Sequence, residues 1–539
     1  MVRRSLAVAV LLALLTVGAA SARQTAPAGS GPVFVFTGHG WGHGVGMSQY
    51  GAYGFAQHGW TYDQIVTHYF PGTTLGPAPT NRIRVLLASG RGSLTIASSQ
   101  PFSVRDGTGA SHDLEAGSYR FGPGLKLKTA GVDAPQPLTP PLTFLPGAAP
   151  LQLGALYRGS LQVDVIGGML RAINVVGLEQ YLYGVVPSEM PYKWAPEALK
   201  AQAVVARSFA LSGRKASAPY DVYPDTRSQV YLGYSHERPS TNAAVDATAG
   251  QVLLYQGQVA RTFFFSTSGG RTENVGDVFS GGADLPYLVS VADPYDSISP
   301  YHDWGPYTYT GAKLAKAFKM PGAVTDLQAA LNGAGRIATL KLISTKGEVD
   351  VAGPAVRTAL GLRSTWFTFG ELGLVPPATA TPVVYGSSVQ LMGVVRGMDG
   401  VTLEQRALGQ TWQQVSAVTP AADGTVAVVA KPEATTEYRL VTSTLAAGSI
   451  RIAVAPRVTF SDRQPGELRG LVRPVLPGAP VQLQRQDGTR WRTIQSGRVD
   501  ESGGFDLRLQ LTDGTYRARV APGHGFAAGT TPPLRVISG

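Results

Sequence analysis

Past the first 17 residues one run is the longest of its kind: from Pro196 to Ser212 no internal Gly or Pro interrupts it. Across the 539 residues 66 Gly and 38 Pro punctuate the sequence so often that mostly short elements fit between them. With no collagen period, they read as turns between many short strands. In the long run, proline and Glu197 in the first turn suit a helix start, and Gly213 with Arg214 suits its end. Ala198, Ala201, Val205 and Phe209 repeat at helical spacing, and most other positions are small. Such a helix is expected to be central and buried. A buried helix among many short strands implies an α+β fold, and a prior of ~150 residues per domain implies three or four units.

Composition removes several alternatives. At 44% hydrophobic and 15% charged, the chain has material for packed cores and is no disordered polyelectrolyte. A formal net charge of +11 favours acidic partners. No dense Lys/Arg run or nucleic-acid-binding motif is present, so nucleic acid is not expected among them. The absence of cysteine excludes disulfides, thiolate metal sites and a Cys nucleophile. Arg3 and Arg4 precede an apolar run from Leu6 to Ala20, closed by Ala20-Ser21-Ala22. This is the pattern of a cleaved signal peptide over residues 1–22, with no membrane span expected afterwards. The mature protein is then secreted across the cytoplasmic membrane into a periplasm or cell wall, where kinases and dehydrogenases lack ATP and NAD.

Along the chain, Val33–Phe36 reads as a strand, and Thr61-Tyr62-Asp63-Gln64 as a capping box opening a helix that Pro71-Gly72 stops. Residues 82–180 read as β throughout, strands return at Val252–Leu254 and Ala260–Phe265, and a helix is expected at Lys313–Phe318. After Pro376-Pro377 the texture becomes strands and Gly/Asp turns. There Val401–Arg406, Trp412 and Tyr438 are echoed by Val481–Gln486, Trp491 and Tyr516. The expected division is a mixed core over 31–372, then two small all-β sandwich-like modules over 380–455 and 456–539.

Three constellations carry polar chemistry. In Gly38–Ala52 glycine occupies every second place up to Gly46, with His39 and His43 between. Alternating glycines let a backbone take positive φ and approach a ligand. The loop either binds a ligand or supports the core; a zinc site lacks an obvious third ligand, and Ser48 fails the G-x-S-x-G pattern. The second runs from Tyr181 to Pro191, where Glu189 lies between Pro187 and Pro191, read as an extended loop after an apolar strand. A carboxylate among apolar neighbours has a raised pKa, as a general acid requires. Lys200 and Arg207, seven apart on one helix face, either orient Glu189 or hold an acidic substrate; the alternative is that Glu189 is a surface loop residue and Lys200 merely pairs with Glu197. The third comprises Asp225–Tyr231 and Phe265–Gly270, polar clusters rimmed by aromatics as in sugar grooves.

Together these segments resemble the SpoIID/LytB family, named for stage II sporulation protein D and an amidase enhancer. The matches are G-H-G-V-G-M-S-Q-Y-G-A at 42–52, Y-L-Y-G-V-V-P-S-E-M at 181–190, E-A-L-K-A-Q-A-V-V-A-R at 197–207, S-Q-V-Y at 228–231, S-G-G at 268–270 and L-R-S-T-W-F at 362–367. The resemblance covers about residues 33–370 and implies a SpoIID-type core with a β-rich insertion. It also implies a lytic transglycosylase that cuts the bond between N-acetylmuramic acid and N-acetylglucosamine in peptidoglycan strands, leaving 1,6-anhydro ends. On this resemblance Glu189 is the catalytic acid. Lys200, Arg207, Gln229, Tyr231, Ser266, Ser268, Ser48, Gln49 and His43 are expected to contact substrate. The alternative is a non-catalytic peptidoglycan-binding activator whose partner is a cell-wall amidase.

A transglycosylase can work with one carboxylate, because the C6 hydroxyl of the sugar is the nucleophile, whereas most glycoside hydrolases need two. Some relatives use a Cys-containing zinc site; with no Cys, neither a metal nor another cofactor is expected. In the sporulation protein the glycine loop follows the L-R-S-T-x-F segment, whereas here it precedes everything. A permuted core follows, with Val33–Phe36 expected beside the strand around Trp366–Phe369.

Overall fold

The computed structural model describes residues 24–25, 31–279, 285–377, 379–464, 466–523 and 525–537; the expected signal peptide at 1–22 lies outside them. Helices and strands are mixed, with strands in many small, mostly antiparallel sheets. The fold is α+β, as expected.

Five helices build the part that holds the site: α1 (Gln49–Gln57), α2 (Tyr62–Tyr69), α3 (Leu178–Glu189), α4 (Pro196–Ser212) and α5 (Pro239–Ala247). The backbone amide of Thr61 donates to Gln64 Oε1 at 3.0 Å, the capping box that starts α2. The long Gly/Pro-free run is α4, and it is central: α1, α2, α3, α5 and the strand Gln251–Tyr255 all pack on it. Ala198, Ala201 and Val205 are fully buried, while Phe209 is half-buried. Small side chains let several helices approach α4 closely, and each buried Val contributes about 1.5–3 kcal/mol.

The β-rich reading of 82–180 holds as far as Gly177. Its strands form a six-stranded sheet, a four-stranded sheet and a two-stranded pair, over a core that includes Phe102, Val104, Phe144, Leu161 and Val163. Beyond Gly177 the expectation of a strand and an extended loop is corrected, because Leu178–Glu189 is helical. Leu178, Tyr181, Leu182, Val185 and Val186 recur at helical spacing and all are buried. Pro187 falls in the last turn, where a packed apolar face offsets one missing backbone hydrogen bond.

A second layer is the sheet of β1 (Val33–His39), β2 (Asp303–Thr310), β3 (Phe367–Leu374), β4 (Val389–Arg396) and β5 (Thr425–Ala430). Its order is β2-β1-β3-β4-β5, antiparallel throughout. Phe36 sits opposite Phe369 and Gly38 opposite Phe367, the adjacency that the permuted motif order requires. The β3–β4 pairing carries this sheet across residues 372–380, so the core and the first tail stretch share it.

In the tail, Gln405 lies opposite Tyr438 and Arg485 opposite Tyr516. Arg439 stacks on Trp412 at 3.9 Å and Arg517 on Trp491 at 4.2 Å. The echoed sequence positions therefore occupy equivalent register positions. Among the described residues no helix is long and apolar enough to cross a membrane.

Candidate active site

Glu189 is the last residue of α3; Met190 leaves the helix in an extended conformation before Pro191. Its carboxyl is half-buried, and Oε1 accepts the Val230 backbone N–H at 2.8 Å. Burial pushes its pKa up, opposed by the Val230 hydrogen bond. Among the described residues no other carboxylate contributes to that shift, and Oε2 has no hydrogen-bond partner. Gly184 explains how Val230 reaches the acid. A Cβ there would stand 2.7 Å from the Tyr231 ring, so only glycine lets the 228–231 segment lie against α3.

The glycine loop arrives from the other end of the chain. Gly40, Gly42, Gly44 and Gly46 all have positive φ, between 74° and 126°, which explains the alternation. The loop is fastened to the 263–268 segment: Trp41 exchanges backbone hydrogen bonds with Thr267, and the Met47 and Tyr50 amides donate to the Phe263 and Ser266 carbonyls. It delivers Gln49, whose Nε2 donates to the Glu189 backbone carbonyl at 3.0 Å and lies 3.5 Å from Gln202 Oε1. The loop and the acid are thus one site.

Beneath the loop lies a group that the sequence reading missed. Asp296 is fully buried and accepts from Ser48 Oγ and the Ser268 and Gly269 amides, each at 2.9 Å, with His302 Nδ1 at 3.1 Å. Asp293 accepts the Tyr69 hydroxyl at 2.8 Å, while its Oδ2 is buried with no hydrogen-bond partner among the described residues. Burial, then the charge of Asp296, pushes the Asp293 carboxyl up to about 7. Arg336, also buried, donates to the Ser268 and Arg271 carbonyls and pairs with Glu273 at 3.2 Å. The signal was two carboxylates three apart in Asp293-Pro-Tyr-Asp296, inside an apolar stretch.

Several expected substrate contacts are corrected. Arg207 is fully buried: its guanidinium engages the Glu179 carboxylate and donates to the Gln251 and Val245 carbonyls. Gln229 and Tyr231 are buried too, and tied to Tyr181 at 3.1 Å and Asn174 at 3.0 Å. It is the backbone of their segment, through Val230, that meets Glu189. Ser48 caps α1 and Ser268 accepts the Gly270 amide, both with no exposed surface. His43 packs among Phe263, Phe265 and Phe279; burial, then Arg357, pushes its pKa down to about 4. The ring is neutral, and its Nδ1 accepts the Val45 amide. Lys200 pairs with Glu197 at 2.7 Å, the bland alternative, and Ser266 is half-buried beside Thr267. Among the expected residues, the structure brings Gln49 directly onto Glu189.

His39 and His43 do not converge either, for His39 Nδ1 faces Asp303 at 2.6 Å. Among the described residues no group of three or more His, Asp or Glu side chains is arranged to hold a metal ion.

These parts define a class: a mixed α+β protein with a desolvated carboxylic acid at a helix end, held by a glycine loop from a distant part of the chain. A family profile described as Stage II sporulation protein, SpoIID, matches residues 167–255, the stretch from the strand before α3 through Gln251–Tyr255. Stage II sporulation protein D of Bacillus subtilis (strain 168) is 31% identical over 237 residues, covering 40% of this chain and 67% of that protein. The amidase enhancer of the same organism is 41% identical over 115 residues, 21% of this chain and 15% of that protein. An uncharacterized protein of Brachyspira hyodysenteriae is 39% identical over 141 residues, covering 26% of this chain and 38% of its own length. The chain belongs to the stage II sporulation protein D family.

Proposed function

We propose that this protein is a secreted peptidoglycan lytic transglycosylase with Glu189 as acid and base. The observation that supports it is the Glu189 carboxyl itself: desolvated, raised in pKa, held by one backbone N–H, with its second oxygen free of partners among the described residues. A raised pKa keeps the proton on the acid at pH values where an ordinary Glu has lost it. In this reaction that proton passes to the glycosidic oxygen as the bond from C1 of the N-acetylmuramic acid residue breaks. The C6 hydroxyl of the same sugar closes on C1 and returns its proton to the Glu189 carboxylate. The acid is regenerated, no water is consumed, and a 1,6-anhydro end remains. Such a cycle needs one carboxylate, in keeping with the absence, among the described residues, of a neighbouring acid that shifts Glu189. The net charge of +11 favours an anionic wall polymer, and the residues 1–22 pattern favours export to periplasm or wall.

The test is mass spectrometry of purified, peptide-free glycan strands after incubation with the protein, wild type beside Glu189→Gln. Anhydro-ended fragments from wild type alone are expected; reducing ends would make it a hydrolase and require a second carboxylate. The 41% identity with an amidase enhancer supports a second reading, a peptidoglycan-bound activator of a cell-wall amidase. Intact strands together with faster amide cleavage by an added amidase would select it.

A further inference from the structure

A series of aromatic contacts begins at Tyr50, beside the Gln49 that bonds Glu189, and at its other end lies a cation unpaired among the described residues. Trp194, five residues past the acid, packs on Tyr50 with ring centroids 4.7 Å apart. Tyr50 follows Gln49, the residue bonded to Glu189. The Tyr50 amide donates to Ser266, while Trp41 is bridged to the next residue, Thr267. Thr267 Oγ1 in turn lies 2.8 Å from Ser299 Oγ, which accepts the Tyr301 amide at 3.1 Å. Tyr50, Trp41 and Tyr301 therefore hang from one two-residue segment. Trp41 and Tyr301 meet edge to face at 4.5 Å, and the Tyr301 phenol, after burial, pushes the Tyr50 hydroxyl pKa up.

Arg363 closes the line. Its guanidinium lies 4.8 Å from the Trp41 ring and 4.4 Å from the Tyr301 ring. Its carbonyl is fixed by the Gly42 amide and by Arg357 Nε, each at 3.0 Å. Among the described residues the guanidinium has no hydrogen bond or ion pair. Trp41 is 39% exposed, which no packing role requires. Rings of this kind present flat apolar faces to the flat faces of pyranoses. A stacked, unpaired guanidinium offers its N–H edge to a carboxylate.

We propose that Trp194, Tyr50, Tyr301 and Trp41 form an extended glycan-binding track running from Glu189, and that Arg363 at its end binds a carboxylate carried by the strand. This rests on the reading of the substrate as a peptidoglycan glycan strand. The carboxylate belongs to the lactyl group of the sugar or to an attached stem peptide; the chemistry is shared, and the probes separate the two.

The experiment measures binding by the full chain carrying Glu189→Gln, so that strands stay intact. The probes are peptide-free strands, strands retaining stem peptides, and a neutral β-1,4 N-acetylglucosamine oligosaccharide. Trp41→Ala is expected to weaken all three about tenfold or more, and Trp41→Phe to retain most of the affinity. Arg363→Gln is expected to weaken only carboxylate-bearing probes, by about tenfold, with Arg363→Lys intermediate. Loss only on peptide-free strands, where the lactyl carboxyl is free instead of amide-linked to a stem, assigns the lactyl group; loss only on peptide-bearing strands assigns the stem peptide, and loss on both shows that Arg363 accepts either carboxylate. Unchanged binding by the Trp41 and Arg363 variants, or equal loss on the neutral probe for Arg363→Gln, overturns the track or its carboxylate end respectively. Wild type that binds in this pattern without cleaving strands would sink the transglycosylase and leave the track standing; wild type that cleaves while the variants bind normally would do the reverse.

Discussion

Gln49 Nε2 donates a hydrogen bond to the backbone carbonyl of Glu189 at 3.0 Å, joining residues 140 positions apart. The bond fixes the end of α3 against the glycine loop, so that the acid and the loop keep one geometry. Gln49 touches the backbone of the acid and not its carboxyl, which makes it a positioning residue. Gln49→Ala is expected to lower kcat for strand cleavage about tenfold, with strand binding little changed. Gln49→Glu, which cannot donate when ionised, should behave alike. A fall in affinity with kcat intact would remove the positioning role.

Asp293 makes stability depend on pH. In the unfolded chain this carboxyl ionises near its ordinary value, about 4, whereas in the fold it holds its proton to about 7. Between these values the folded state binds the extra proton, so stability falls as pH rises through that window and levels off above it. Asp293→Asn mimics the protonated form while keeping an acceptor for Tyr69. The variant's thermal midpoint should therefore decline less than wild type's between pH 4 and pH 7. Parallel melting curves for the two proteins across that range would refute the assignment.

Arg207 and Lys200 should separate cleanly. Arg207 is sealed on the buried face of α4 against Glu179 and two carbonyls, and truncating one partner of a buried pair costs about 3–5 kcal/mol. Arg207→Ala is expected to show that loss in urea denaturation. Lys200→Ala, which removes a partly exposed pair with Glu197, should cost under about 1 kcal/mol. Comparable losses in both variants would contradict the burial that distinguishes them.

Gly184 lets the 228–231 segment reach α3. A methyl group there meets the Tyr231 ring, and crowding of this kind costs about 1–3 kcal/mol. Gly184→Ala should lower the urea midpoint and strand cleavage together, because the displaced segment carries the Val230 N–H away from Glu189. Cleavage at the wild-type rate in a destabilised Gly184→Ala protein would mean that the Val230 hydrogen bond is dispensable.

Local sequence determined much of this protein. The buried helix Pro196–Ser212, the capping box at Thr61, the strands up to Gly177 and the candidate acid Glu189 were legible because each depends on residues near one another in the chain. The family was legible for the same reason, since its motifs are contiguous. One element was misread although its signal was present: 178, 181, 182, 185 and 186 keep helical spacing, but Gly184 and Pro187 argue for loop when propensity is weighed without packing. Tertiary structure alone decided which of the expected polar residues are buried and already engaged. Arg207, Gln229, Tyr231 and Ser268 have the same side chains whether exposed or buried, and only the positions of Glu179, Tyr181, Asn174 and Gly270 show those side chains already engaged. The same holds for the aromatic line ending at Arg363, whose members span residues 41 to 363. Their meeting depends on long-range pairing of strands and loops, and no local pattern encodes it.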